Sequence, residues 1–269
     1  MWFAKDGSKA WAEKFFLFVN LSSLILFLVV FIGSGLYERY DDRVSYAVVS
    51  GLMVLPNIVV PVVLVGKSDK VLPWYTRFVW KANMWNLVFG FIGNYFWTHY
   101  FYKILGARYT FDTFRLNDVP IPCYLATHVY FLFYHSVSSI TLRKLDEATT
   151  KLPTPLRRAI FVCGVLMLAY LTAYMETLTI SAFPYYEFVD RDKMQSVGSW
   201  LYAIYFIVSF PMFLRIDEDP KRRWTISEAT LDSFSAAMIV TLMLDFWRLF
   251  IGPIVDTGAF VVSSDLPFL

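Results

Sequence analysis

Apolar residues form seven stretches of about 20 residues along the chain, and short polar connections separate one stretch from the next. An α-helix needs about 20 consecutive apolar residues to cross a bilayer. The pattern therefore predicts an all-α, polytopic transmembrane helical bundle in which residues 1–269 form a single integral membrane domain. The predicted spans are roughly 15–36, 45–66, 79–101, 121–142, 159–181, 198–214 and 231–251.

Composition supports the membrane interpretation, and the charge distribution adds an orientation. Hydrophobic residues make up 57% of the chain, and its mean hydropathy is +0.50. With the seven spans in place, about two-thirds of the 24 Lys and Arg residues fall on the side that holds the N-terminal segment 1–14. Because cytosolic connections carry an excess of positive charge, we predict that the N-terminus is cytosolic.

Polar residues inside the third span are candidates for function, because polar groups at membrane depth are costly. Asn83, Asn86, Gly90 and Asn94 are spaced so that they share one helical face, and His99 lies near the end of the same span. Such amides either line a cavity or hydrogen-bond neighbouring helices and hold the bundle together. The sequence leaves both possibilities open.

The fourth span contributes His128 and His135, whose seven-residue spacing places both rings on one side of a helix. Three histidines in two consecutive spans could in principle bind zinc, but no HExxH spacing and no cysteine cluster accompany them. We therefore predict no metal site. The alternative to a functional role is that His128 belongs to a polar network and His135 lies at the membrane interface.

Glu176 is a carboxyl group inside the otherwise apolar fifth span. In a dry interior without a cation partner the charged form is disfavoured, so we expect this group to stay protonated near neutral pH. A neutral carboxylic acid in a dry pocket can donate a proton. The alternative is a structural hydrogen bond to another helix, together with Thr172 or Thr179.

Charged and aromatic residues also cluster beyond the fifth span and within the seventh. Tyr185, Tyr186 and Glu187 crowd the connection after the fifth span, where they either anchor the chain at the interface or close one end of a lipid pocket. Asp245 and Arg248 are spaced i, i+3 in the seventh span, which predicts a structural ion pair.

Several kinds of chemistry have no motif in this sequence. It contains no Gly-rich phosphate loop, no nucleotide signature and no GxSxG elbow, so we predict no cofactor, no nucleotide and no nucleic acid partner. The residues alone leave two classes of function open. One is cofactor-free acid–base chemistry on a lipid, and the other is binding or movement of lipids without chemistry.

Six segments spread over the chain resemble the cycloeucalenol cycloisomerase family. They are VGKSD at 65–69, KAN at 81–83, GNYFWTHYF at 93–101, FPYYEFVDR at 183–191, LYAIYFIVSFPMF at 201–213 and DFWRLFIGPIV at 245–255. The resemblance implies an isomerase that opens the 9β,19-cyclopropane ring of cycloeucalenol-type sterols to give the 8(9)-alkene obtusifoliol. It also implies a multi-pass protein of the endoplasmic reticulum membrane, which takes its sterol substrate from the bilayer and needs no cofactor.

Such a reaction needs an acid to protonate the cyclopropane, a base to remove a proton and a site that stabilises the intermediate cation. Our hypothesis is that Glu176 donates the proton, while His128 or His99 accepts or relays the proton that is lost. The aromatic faces of Tyr95 and Trp97 would stabilise the cation. The substrate hydroxyl would bind Asn94, Tyr186 or Glu187, and Tyr185 completes the set of predicted substrate contacts.

Two other functions remain compatible with these residues. A sterol 8-to-7 double-bond isomerase needs the same acid and base near the same rings, and only analysis of the product separates it from the first interpretation. A non-catalytic sterol-binding or transport protein would use the histidines and Glu176 only to hydrate a lipid cavity.

Overall fold

The computed structural model describes residues 2–40, 42–180 and 183–256, and most of these residues are helical. The first half contains α1 (Gly7–Ile25) with a π-helical continuation (Leu26–Ile32), α2 (Leu36–Arg39), α3 (Arg43–Val63), α4 (Phe78–Ile92) with a π-helical continuation (Gly93–Trp97), and α5 (Thr98–Leu105). The second half contains α6 (Ile121–Ala148), α7 (Thr154–Ile180), α8 (Arg191–Lys193) with a π-helical continuation (Met194–Gly198), α9 (Ser199–Leu214), and α10 (Ile226–Phe246) with a π-helical continuation (Trp247–Ile251).

Within the described residues, five continuous helical rods are long and apolar enough to cross a membrane. They are Gly7–Ile32, Arg43–Val63, Thr154–Ile180, Arg191–Leu214 and Ile226–Ile251. These rods overlap the first, second, fifth, sixth and seventh predicted spans, although residue 181 of the fifth predicted span lies outside the described residues. The protein is therefore a helical, multi-pass membrane protein.

The remaining two predicted spans coincide with the α4–α5 rod and with α6, which lie in the interior of the bundle. α6 packs against α1, α3, α4, α7 and α9, so protein rather than lipid surrounds most of its surface. It buries several polar side chains, among them Ser136, Ser138 and Ser139. A helix surrounded by protein can carry such groups because neighbouring helices shield them from lipid, which explains why α6 is less apolar than the outer rods.

Several helices begin earlier in the chain than the predicted spans do, because capping residues fix their first turns. The first rod begins at Gly7 because the Asp6 side chain accepts a hydrogen bond from the Lys9 backbone N–H at 2.9 Å. Thr225 and Glu228 form a capping box, so α10 begins at Ile226 rather than near residue 231. The sixth rod begins at Arg191, well before the predicted residue 198, because Asp190 caps it.

One end of the bundle carries two small antiparallel strand pairs. β1 (Arg108–Tyr109) pairs with β4 (Tyr186–Glu187), and β2 (Arg115–Leu116) pairs with β3 (Val119–Pro120). The second pair is a hairpin whose two turn residues, Asn117 and Asp118, have φ angles of 50° and 58°, as a type I′ turn requires. α6 follows β3 directly, so the strands mark the end of the bundle at which α6 begins.

A network of buried charges lies at the opposite end, near the end of α6. The Lys9 ammonium donates to the backbone oxygens of Leu214 and Ile216, both at 2.6 Å, and lies 2.8 Å from a carboxylate oxygen of Glu218. Arg143 of α6 forms ion pairs with Glu13 and Glu218. These contacts hold α1, α6 and the α9–α10 connection together through charges that compensate one another.

Candidate active site

A largely apolar cavity of about 170 Å³ lies at the end of the bundle that carries the strands. Side chains from several helices around the first half of α6 line it, including Phe31 from the first rod, Met53 from α3 and Phe101 from α5. Its polar lining residues are Tyr46, Ser50, Asn94, Thr98, Tyr109, Cys123, Thr127, Tyr130, Glu176, Thr177, Tyr186, Tyr202 and Tyr205. Glu176 is the one carboxyl group among these described lining residues.

Three of the four π-helical segments found in the described parts of the chain contribute to the cavity. Phe27 and Phe31 belong to the first, Gly93 and Asn94 to the second, and Met194 to the third. A π-helical turn contains an extra residue and widens the helix, and such turns are frequent at functional sites. In this protein, the three π-helical segments belong to three different rods, and each places residues in the wall of the same cavity.

Glu176 projects from the last turns of α7 toward two phenol groups, those of Tyr134 from α6 and Tyr202 from α9. The Oε2 atom of this carboxyl is buried and has no hydrogen-bond partner among the described residues. No cation acts on the group in the described part of the chain, so nothing there compensates a negative charge. The arrangement suits a neutral carboxylic acid.

Aromatic rings surround this carboxyl on several sides. Tyr130, Tyr202 and Tyr205 all line the cavity and lie within electrostatic reach of Glu176. Tyr205 is fixed from behind by Trp97, whose ring centre lies 4.6 Å away in an edge-on arrangement. Aromatic rings therefore line the space next to the acid, and such rings can stabilise a cation that lies over their faces.

A second polar group in the lining is formed by Asn94 and Thr127. The Asn94 side-chain amide donates to the Gly90 backbone oxygen at 2.8 Å and to Thr127 Oγ1 at 3.0 Å. Gly90 allows this close approach of α4 and α6, because a Cβ atom there would lie 3.3 Å from Thr127 Cγ2. Asn94 thereby links the two helices at the cavity wall.

Three of the predicted site residues line the cavity, namely Glu176, Asn94 and Tyr186. Tyr186 lies in β4, where its ring stacks on Tyr109 with centroids 4.4 Å apart. Burial among these rings raises the pKa of the Tyr109 phenol well above its usual range. Tyr109 of β1 and Tyr186 of β4 therefore line the cavity as a stacked pair.

The two predicted bases lie behind the cavity wall, outside the set of described lining residues. His128 Nε2 lies 2.9 Å from Asn83 Oδ1, so this ring joins α6 to α4. His99 is fully buried, with its ring 5.5 Å from that of Tyr102. Neither ring is positioned to touch a molecule in the cavity directly.

Tyr95 and Trp97 also lie outside the described lining. Tyr95 stacks on Phe91 with ring centres 5.8 Å apart. The Trp97 indole N–H donates to Thr241 Oγ1 at 2.8 Å, which ties the α4–α5 rod to α10. Trp97 therefore supports the cavity through Tyr205 rather than forming its surface.

The last predicted residues take part in surface contacts. Glu187 forms an ion pair with Arg108 across the β1–β4 pair. Tyr185 packs edge-on against Phe183 and Tyr37. Neither Glu187 nor Tyr185 is among the described lining residues.

Asp245 and Arg248, the residues of the predicted ion pair, lie in the α10 rod. Arg248 Nε donates to Asp245 Oδ1 at 2.9 Å. The Tyr100 hydroxyl donates to the same oxygen at 3.4 Å.

Several residues around Asn94 and Glu176 were missed by the sequence interpretation. Thr127, Tyr130, Tyr202 and Tyr205 line the cavity, and Tyr134 of α6 contacts Glu176 without being part of the described lining. A usable signal was present, because Tyr130 and Tyr134 are spaced i, i+4 in one span and Tyr202 and Tyr205 are spaced i, i+3 in another. Phenols repeated on one helical face in mid-span indicate a polar interior.

Comparison with known proteins identifies the family. The chain is 47% identical over 270 residues to an Arabidopsis thaliana protein named cycloeucalenol cycloisomerase, and the alignment covers all of this chain and 96% of that relative. No family model matches the chain, and no solved structure matches it. Since the identity extends over the full length, the chain belongs to the cycloeucalenol cycloisomerase family and is an isomerase.

Proposed function

We propose that this protein opens the 9β,19-cyclopropane ring of cycloeucalenol-type sterols to give the 8(9)-alkene obtusifoliol, by acid–base chemistry inside the membrane. The observation that carries the proposal is a single carboxyl group, Glu176, set without a compensating cation in an aromatic cavity. The name of the Arabidopsis relative supports the choice of substrate. The apolar lining suits a sterol, which offers almost only hydrocarbon surface.

Glu176 is the proposed acid. Its neutral carboxyl gives a proton to C19, one cyclopropane C–C bond breaks, and a cation develops at C9. A cyclopropane is a weak base, so the acid must be held against the carbon in a site that excludes water. The phenols of Tyr134 and Tyr202 face the carboxyl and stabilise the carboxylate that the transfer leaves behind.

The same carboxylate is the proposed base. It takes the proton from C8, the 8(9) double bond forms, and Glu176 returns to its neutral state. Protons and charge balance without a cofactor. His128 and His99 keep a supporting role in this proposal, because the rings lie behind the wall and His128 is bonded to Asn83.

The cation at C9 would be stabilised by the ring faces that line the cavity, above all those of Tyr205, Phe101 and Phe131. This replaces the proposed contact with Tyr95 and Trp97. Water would be an unwanted nucleophile toward such a cation, and an apolar lining keeps water away from it.

We further propose that the α4–α5 rod and α6 also cross the membrane, which gives seven spans with a cytosolic N-terminus. The excess of Lys and Arg on the side of the N-terminal segment supports this orientation. The charge network of Lys9, Arg143 and Glu218 would then lie at the cytosolic end. Location in the endoplasmic reticulum is part of the same proposal, since the sterol substrate must be reached within a bilayer.

The test is turnover of cycloeucalenol in deuterated water by the purified protein in sterol-containing vesicles, with the products analysed by mass spectrometry. We expect obtusifoliol with deuterium in the new 19-methyl group. The Glu176→Gln variant keeps the size of the side chain but cannot donate this proton. Its rate should fall by about 10²- to 10⁴-fold, the usual contribution of a general acid or base.

Glu187→Gln is the matched control, because it removes a carboxyl group that lies outside the described lining and should leave the rate nearly unchanged. A folded Glu176→Gln protein with normal turnover would disprove the acid assignment. An 8-to-7 alkene as product would move the assignment to the related double-bond isomerase. A wild-type protein that binds the sterol and leaves it unchanged would favour the non-catalytic function.

A further inference from the structure

We infer that the sterol 3-hydroxyl group binds between Asn94 and Thr127, and that this pair sets the orientation of the substrate; the inference rests on the proposed function. Both residues line the cavity and come from different helices. Between them they offer one free hydrogen-bond acceptor and one free donor, as an alcohol requires.

The acceptor is Asn94 Oδ1. Both hydrogens of the Asn94 amide are used, one by the Gly90 backbone oxygen at 2.8 Å and one by Thr127 Oγ1 at 3.0 Å. Because the Gly90 carbonyl can only accept, the nitrogen must face α4, and this fixes the oxygen on the other side of the amide. No donor in the described part of the chain reaches this oxygen. The atom is not fully buried, so it remains accessible to a ligand.

The donor is the Thr127 hydroxyl. Its oxygen already accepts from Asn94, and among the described residues its own hydrogen reaches no acceptor. A hydroxyl can accept and donate at the same time. An alcohol placed here would donate to Asn94 Oδ1 and accept from Thr127, so each group would have a partner in a cavity that is otherwise mostly apolar.

The position relative to Glu176 fits the shape of the substrate. Tyr130 is one helical turn beyond Thr127 on α6, about 5 Å along the axis, and Tyr130 lies within electrostatic reach of Glu176. In a 9β,19-cyclosterol, the carbon that bears the hydroxyl and the cyclopropane lie at opposite corners of one six-membered ring. A hydroxyl at Thr127 therefore leaves the cyclopropane about 5 Å away, which matches the axial separation of Thr127 and Tyr130, and we infer that the ring extends toward Tyr130 and the acid.

The other candidates for the hydroxyl are less suitable. The Tyr186 phenol is engaged with Tyr109 inside a stacked pair. Glu187 forms an ion pair with Arg108 and lies outside the described lining. Thr177, a third lining residue, donates its hydroxyl hydrogen to the Ala173 backbone oxygen at 2.9 Å, so its donor is already used.

The test compares two substrates, cycloeucalenol and its 3-deoxy analogue, and measures kcat/KM for each. Thr127→Val removes the hydroxyl and keeps the branched shape, while Thr127→Ser restores it. Thr177→Val is the matched control, since it changes a cavity threonine whose donor is used within its own helix. Thermal unfolding of each variant shows that it is folded, and Thr127→Ala is a second hydroxyl-free variant should the valine variant not fold.

We expect wild-type protein, Thr127→Ser and Thr177→Val to prefer the hydroxylated substrate. The Thr127→Val variant should lose about three- to tenfold of that preference, the effect of one neutral hydrogen bond. If the Thr127→Val variant keeps the wild-type preference, or if wild type turns over both substrates equally, the inference is wrong. The proposed function is judged separately, by whether wild type opens the ring of cycloeucalenol at all.

Discussion

Glu176 differs from other buried acids of this protein in what surrounds it. Glu13 pairs with Arg143, Asp217 with Lys81, and Asp232 with Arg215, so each of those carboxylates is compensated by a neighbouring cation. No cation acts on Glu176 in the described part of the chain, and its neighbours are phenols. A buried carboxylate that is paired with a cation can stay ionised. A buried carboxyl group without a cation is favoured in its neutral form, which can donate a proton.

The position of His128 gives a prediction at the scale of one residue. Replacement of His128 by Leu removes the partner of Asn83 Oδ1, so the free energy of unfolding should fall by about 1–3 kcal/mol because a buried acceptor loses its hydrogen bond. Turnover per folded molecule should stay close to wild type. Thermal unfolding in detergent and a rate normalised to folded protein measure the two effects. A stable variant without activity would make His128 the base after all.

The π-helical segments shape the cavity at the scale of whole elements. Within Gly93–Trp97, an added Cβ atom at Gly93 would lie 2.8 Å from the Trp97 ring, which itself supports Tyr205. Gly51 lies in the middle of α3, and an added Cβ atom there would meet nothing within 4 Å. The two glycines therefore provide a matched pair of substitutions.

Gly93→Ala should lower the free energy of unfolding by about 1–3 kcal/mol, because the Trp97 ring must move within a packed core. Gly51→Ala should raise it by about 0.5–1 kcal/mol, because alanine loses less backbone entropy in a helix. Both changes can be measured by thermal unfolding in the same detergent. Equal effects of the two substitutions would contradict the tight packing described around Gly93.

Glu218, in the connection between α9 and α10, should make the stability of the protein depend on pH. Burial alone would raise the pKa of Glu218, but the hydrogen bond from Arg143 and the charge of Lys9 outweigh it and hold this pKa below its usual value of 4.5. An acid whose pKa is lower in the folded state stabilises the protein above the unfolded pKa. That contribution is lost as the pH falls through the folded value.

Between about pH 5 and pH 3, the melting temperature of the wild-type protein should therefore fall more than that of Glu218→Gln, which has no titrating group at this position. Melting curves at several pH values, recorded at constant ionic strength, test this. Parallel curves for the two proteins would show that the pairs of Glu218 with Arg143 and Lys9 contribute little to stability.

At the scale of the whole molecule, the proposed seven spans can be tested by the accessibility of two connections. In a chain with Cys123 and Cys163 replaced by alanine, one cysteine is introduced at Asp112 or at Lys151, both on exposed connections. In sealed microsomes, an impermeant thiol reagent should label the Lys151→Cys protein only. Labelling of Asp112→Cys as well would place both connections in the cytosol and leave five crossings.

The helical membrane architecture could be predicted from the sequence, because apolar stretches of about 20 residues have few alternatives to crossing a bilayer as helices. Glu176 could be singled out for a similar reason: a carboxyl group in an apolar helix must find a polar interior. The amide of Asn94 could be identified by the same argument.

Only the tertiary structure decided which polar residues meet in the cavity. The π-helical segment Gly93–Trp97 adds a residue to its turn and shifts the following side chains by roughly 100° relative to a regular helix, so Trp97 and His99 do not lie where an ideal periodicity places them. The partners of Glu176 come from α6 and α9, and Lys9 pairs with a segment 205 residues further along the chain. The sequence by itself determined that such groups must be buried, since water and lipid exclude the alternatives, but their partners depend on how the helices pack.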